Sequence, residues 1–166
     1  MYQLKLISRE AIPSAMAKAE RYRLLQQPWA AESICLDVLR VEPDNEEALV
    51  LLLLSLTDQF DREPGVETAQ AREVLERLKD PYDRAYYAGV ICERRAGAQL
   101  SRRVPGAVGI AYQGFKEAME WYEKAEAIRP PGIDEAILRW NTCARILMRP
   151  DLAPPVAEPL EPVFGE

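Results

Sequence analysis

The sequence predicts an all-α fold: a right-handed solenoid of about three helix-turn-helix units, closed by a capping helix. Three observations carry this expectation. First, apolar residues recur at helical spacing in successive segments, and breaks containing proline, such as Gln27-Pro28, Glu42-Pro43 and Asp80-Pro81, separate many of them. Second, the pattern repeats: Ala118, Tyr122, Ala125 and Pro130 keep the mutual offsets of Ala31, Cys35, Val38 and Pro43. A helical pattern recurring along a chain is the signature of stacked hairpins. Third, 48% of the 166 residues are apolar, enough for a buried core in one domain.

Met1–Ile7 alternates, with Tyr2, Leu4 and Leu6 on one side, and is expected to lie extended against the first helix. That helix starts between Ser8, a capping residue, and Pro13, suited to a first turn. It runs to about Gln26, with Ala15, Ala19, Tyr22 and Leu25 at helical spacing. The second helix, Pro28–Val41, puts Ala31, Ile34, Cys35, Val38 and Leu39 on one face. The short link makes the two antiparallel neighbours, and their apolar stripes require a further layer.

A third helix, Asn45–Thr57, is apolar almost all round and should be covered on both sides; Asp44 and Glu47 resemble a capping box for it. A polar turn at Gln59–Gly65 leads to the fourth helix, Val66–Lys79, with Ala71, Val74, Leu75 and Leu78 inward. Asp80 caps a fifth helix, Pro81 to about Ala96. Gly89 inside it costs about 1 kcal/mol against alanine, which suggests that a neighbouring helix comes close there. Residues 97–110, with three glycines and a proline, read as a long loop. The sixth helix is Phe115–Pro130, and the seventh, Ile133–Leu147, covers it and ends the stack. The domain therefore spans 1–149. Residues 150–166 form a proline-rich acidic tail expected to be extended or polyproline-like.

These residues resemble the tetratricopeptide repeat, a helix–turn–helix unit with small or aromatic residues at fixed places and a closing proline. The first unit carries the resemblance at Ala19, Tyr22, Ala31, Cys35, Val38 and Pro43. The third carries it at Phe115, Ala118, Tyr122, Ala125 and Pro130. The second keeps Ala71, Leu75 and Leu78, but its proline, Pro81, comes early. Together they cover most of Ile12–Leu147. The repeats are divergent. Ala15 stands where the family's leading tryptophan would be, and Ala31 and Ala118 lie 87 residues apart. Two regular units would give about 68, so the surplus is assigned to Gln59–Gly65 and chiefly to residues 97–110.

The resemblance implies a non-catalytic protein-interaction module, an adaptor, scaffold or assembly factor that holds a peptide on the concave face lined by first helices. The chain's size, acidity and repeat number also resemble bacterial secretion chaperones for translocator proteins. One subset of the family grips a C-terminal carboxylate with basic and amide side chains. Here Met16, Glu20 and Leu51 stand near those places, so no such clamp is expected.

Composition narrows the remaining classes. The net charge of −6 disfavours non-specific binding to nucleic acid or anionic membrane, and no apolar run approaches the roughly 20 residues of a membrane span. There is no histidine, the commonest general base and neutral metal ligand. No phosphate loop, nucleophile elbow or metal-ligand spacing stands out, so neither cofactor nor catalysis is expected. Cys35, Cys92 and Cys143 are widely spaced and read as reduced core residues. Their odd number, with no export signal at the N-terminus, points to the cytosol.

Candidate partner contacts are polar groups that the core does not require. Arg94, Arg95, Arg102 and Arg103 bracket the expected loop. They could pair with Glu117, Glu120, Glu123 and Glu126 on the outer face of the sixth helix, or receive an acidic peptide or phosphate. Tyr86 and Tyr87 are adjacent and cannot share a helix face, so one of them, Tyr87, is offered to the groove. Arg139, Asn141 and Arg145 give a second polar set on the last helix. RNA binding by the arginine-flanked loop, an unrecognised carboxylate or cysteine catalytic site, and self-association are the alternatives.

Overall fold

A computed structural model describes residues 1–62 and 64–152, residues 64–67 by their backbone alone. Seven α-helices account for it: α1 Ile12–Leu24, α2 Pro28–Val41, α3 Glu46–Thr57, α4 Pro64–Arg77, α5 Pro81–Ser101, α6 Ala107–Ala127 and α7 Glu135–Leu147. A 3-10 turn, Arg9–Ala11, leads into α1, and the described residues contain no strand. The fold is all-α, and each helix packs chiefly on its neighbours in sequence, with smaller contacts between α1 and α3 and between α3 and α5.

The helix ends follow local chemistry. Asn45 caps α3, its Oδ1 accepting from the Ala48 amide at 2.9 Å, so the cap lies one residue beyond the expected Asp44. Asp80 caps α5 as expected, Oδ1 accepting from the Asp83 amide at 2.9 Å, with Pro81 opening the helix. At the end of α1 the Gln27 amide donates to Tyr22 O at 2.9 Å, and Gln26 takes a left-handed φ of 61°. This is the Schellman turn that glycine usually closes.

Two cores result. The first joins α1–α4 and is rich in leucine. In α3, Leu49, Leu51, Leu52, Leu53 and Leu56 are all buried, which matches its all-round apolar pattern. Burying each such side chain contributes about 1.5–3 kcal/mol. The second core joins α5–α7 and consists mainly of small residues, Ala96, Ala111, Ala118, Ala125, Ala136 and Cys143 among them, around Phe115 and the fully buried Tyr122. Helix α5 serves both, giving Ile91 and Ala98 to the first and Ala85, Val90 and Cys92 to the second.

Close approach explains the glycines of the second core. A Cβ on Gly89 would lie 2.5 Å from the Tyr122 ring, and one on Gly114 2.9 Å from the Ala96 Cβ. The expectation that Gly89 admits a neighbouring helix is met, and the neighbour is Tyr122 of α6. The same approach corrects the expected long loop. Residues 97–110 are mostly helix: α5 continues to Ser101, α6 begins at Ala107, and only 102–106 connect them. Ala96, Ala98, Ala107 and Ala111 are buried along this extension, so contact between the two helices outweighs the helix-breaking tendency of Gly97, Gly109 and Gly114. The surplus length beyond regular repeats is therefore largely helical, with α5 and α6 at 21 residues each and the other five helices at 12–14.

The N-terminal segment also differs from expectation. Tyr2, Leu4 and Leu6 are exposed, Ile7 alone of the segment packs on the first core, and the hydrogen bond made to this segment comes from α2, Arg40 Nη1 donating to Lys5 O at 3.4 Å. At the other end Leu152 is buried. The tail beyond it, residues 153–166, lies outside the described residues.

Candidate functional site

Helices α1, α3 and α5 each contribute to one open groove of about 690 Å³. Phe60 and Phe115, both buried, form apolar floor, and Leu24 and Ile146 flank it. The walls are charged, because the end of α1 brings Arg23, the residue after α3 is Asp58, and the middle of α5 brings Glu93 and Arg94.

Asp58 organises one side. It accepts from Arg23 Nε at 2.6 Å and Nη2 at 3.3 Å, a bidentate pair, and Arg94 Nη2 lies 3.9 Å away. An acid at a helix C-terminus opposes the helix dipole, so two arginines compensate it there. The Nε of Arg94 is buried with no hydrogen-bond partner, while 38% of its side chain remains exposed to the groove. An uncompensated donor of this kind costs about 1–3 kcal/mol until it finds an acceptor.

Glu93, one residue earlier on α5, turns toward the second core. Tyr122 donates its hydroxyl to Glu93 Oε2, and Arg139 Nη1 donates to Oε1 at 3.0 Å. One carboxylate thereby ties α5 to α6 and α7. Burial, then the adjacent Glu93 charge, pushes the Tyr122 hydroxyl far above the ordinary tyrosine range, so it stays a proton donor. The same two causes push the Cys143 thiol up to about 12. Around this network Tyr82 stacks on Tyr86, with ring centroids 5.9 Å apart, and Tyr86 meets Tyr87 edge-on at 5.0 Å.

The residues chosen from sequence are dispersed. Arg94 lies in the groove. Arg95, the next residue, points to a separate shallow depression with Gln99, Gln113 and Glu117. Arg102 and Arg103 are exposed in the α5–α6 turn, Arg103 with a left-handed φ of 49°. The expected pairing of these four arginines with the glutamates of α6 does not occur among the described residues, where Arg94 meets Asp58 instead. Tyr87 is half-buried and packs against both cores, so it joins them as well as reaching the surface. Arg139 is already engaged by Glu93, Asn141 is half-buried and Arg145 is exposed. Met16 and Leu51 are buried, and Glu20 is exposed.

Sequence reasoning missed Arg23, Asp58 and Glu93. The signal available for Asp58 was its position: an acid directly after a helix that is otherwise apolar demands a cation. Glu93 carried no such signal, since its partners lie 29 and 46 residues away in sequence.

All three cysteines are buried free thiols. Among the described residues no cluster of three or more potential ligands could hold a metal, and no helix is long and apolar enough to cross a membrane. Set beside known proteins, the chain matches no family model, no curated protein and no solved structure.

Proposed function

We propose that this chain is a non-catalytic protein-interaction module: a short right-handed stack of about three tetratricopeptide-like helical hairpins with α7 as cap. It holds a peptide segment of another protein along the concave face, beside the arginine-flanked α5–α6 turn. Sequential packing of neighbouring helices supports the stack, since each hairpin covers the apolar stripe of the next. The observation that carries the binding site is Arg94, whose side chain stays 38% exposed at the wall of an open groove with charged walls and an apolar floor. A backbone carbonyl or acidic side chain of a bound peptide would accept from the exposed part of the Arg94 guanidinium, and apolar side chains would rest on the Phe60 and Phe115 floor. Arg102 and Arg103 extend the positive edge outward for an acidic partner segment.

Selection from a displayed peptide library against the purified chain, followed by calorimetry on the recovered sequences, tests this reading. Arg94→Ala should weaken binding at least about tenfold, corresponding to about 1.4 kcal/mol. Charge reversal at Arg102 and Arg103 should weaken acidic peptides further. Recovered peptides that bind Arg94→Ala as well as the parent chain would refute the groove as the site.

A further inference from the structure

A second groove, of about 420 Å³, opens where α4, α5 and α6 leave a face of α5 uncovered. Its floor is apolar: Leu75, Ala85, Ala88, Ile91 and Cys92. Trp121 of α6 forms one wall, 37% exposed, with the Lys124 ammonium 4.2 Å from its ring centroid. Arg72, Lys79 and Arg84 stand on the rim with a single carboxylate, Glu76. Among the described residues Arg72 and Arg84 make no ion pair, and Lys79 has only the exposed Asp44 at 3.8 Å. The groove thus combines an apolar trough, an aromatic wall and unneutralised cations.

The chain itself contains a segment of the opposite character. Residues 153–166 read APPVAEPLEPVFGE, with three glutamates and no basic residue. Four prolines disfavour a helix, and at the three-residue period of polyproline II the sequence sets Ala157, Leu160 and Val163 on one edge and Glu158 and Glu161 on the next. One edge suits the trough and the other the cations beside it. Aromatic-walled grooves are the usual receptors of such strands.

We infer that residues 153–166 are the ligand of this groove within the same molecule, with Leu160 and Val163 on the Ile91 floor and Glu158 and Glu161 facing Arg72 and Arg84. Reach permits it. Leu160 and Val163 lie eight and eleven residues beyond Leu152, extended spans of about 26 and 36 Å, against a radius of gyration of about 15 Å for a compact chain of this size. Charge favours this groove over the first, where Arg23, Arg62 and Arg94 are matched by Asp58, Asp61 and Glu93, whereas here Arg72, Lys79 and Arg84 face Glu76 alone. The inference is independent of the peptide site proposed for that first groove.

Paramagnetic relaxation in the full-length chain provides the test. Gly165→Cys places one reactive thiol in the tail for a nitroxide, since the three native cysteines are buried. The amides of residues 84–91 should be broadened several-fold relative to the reduced label. The effect should vanish in R72E/R84E and also in L160E/V163E, which leaves residues 1–152 unaltered. Broadening that is absent, that falls on Arg94 and Ser101, or that survives both variants overturns the inference. So does broadening of an isotope-labelled, unspun chain mixed with unlabelled spin-labelled chain, because the tail would then occupy a second copy.

Discussion

The two cores of this molecule are built on opposite plans. The first, across α1–α4, is filled by flexible aliphatic side chains, and α3 contributes five buried leucines to it. The second, across α5–α7, brings backbones close over alanine and glycine, and places one large ring, Tyr122, against Gly89. It also buries a carboxylate, Glu93, held by Tyr122 and Arg139. An aliphatic core gains its stability from area and tolerates changes of shape. A core of small residues and one polar network depends on particular pairs, so damage there should be non-additive.

The largest expected effect lies in the first core. Leu53→Ala removes a fully buried side chain and should cost about 4 kcal/mol by urea unfolding. Combined with Gly89→Ala, the losses should add, since the two sites lie in different cores. In the second core Glu93→Ala should cost about 3 kcal/mol, because it strands both the Tyr122 hydroxyl and the Arg139 guanidinium. Arg139→Met in the Glu93→Ala background should then recover part of the loss; no recovery would show that the network is not a unit. Gly89→Ala should cost about 2 kcal/mol through its clash with the Tyr122 ring. Tyr122→Leu should mask most of that cost in a double-mutant cycle, whereas additivity there would erase the contrast between the cores.

Alkaline pH should strain both cores alike. Burial pushes the thiols of Cys35 and Cys143 from 9.0 up to about 12, so the folded chain keeps protons that the unfolded chain releases. Their contribution to stability is complete below about pH 9 and falls as pH rises from there toward 12. At pH 10 each should cost on the order of 1 kcal/mol relative to pH 7. Urea unfolding at the two pH values should show a smaller drop in C35A and in C143A, by similar amounts. The smallest effects belong to the caps: Asn45→Ala and Asp80→Ala should each cost about 1 kcal/mol, one at the entry of a helix in each half. Unequal values would mean that the surrounding core, and not the cap, sets the response.

The same contrast explains what the sequence disclosed. Aliphatic periodicity is a loud signal, so α2 and α3 were legible almost to the residue, and Asp80-Pro81 announced the start of α5 through its chemistry. Close packing of small residues is quiet. Alanine and glycine across 97–110 carried no strong periodic signal, and glycine there read as a breaker although Gly97 lies within α5 and Gly109 within α6. The candidate site was legible only in part, at Arg94. Its counterparts Arg23 and Asp58 meet it through tertiary packing, and adjacent residues such as Arg94 and Arg95 part company once they lie on a helix.

Helices α5 and α6 are equal in length, 21 residues each, or about 32 Å, against about 20 Å for the others. Their lengths can be changed only in tandem. Excising two turns from both arms together would shorten the pair and leave the remainder in register. Excising them from one arm would keep its face nearly unrotated but slide its alanines about 10 Å along the partner, so length variants of this protein should tolerate paired deletions and reject solitary ones.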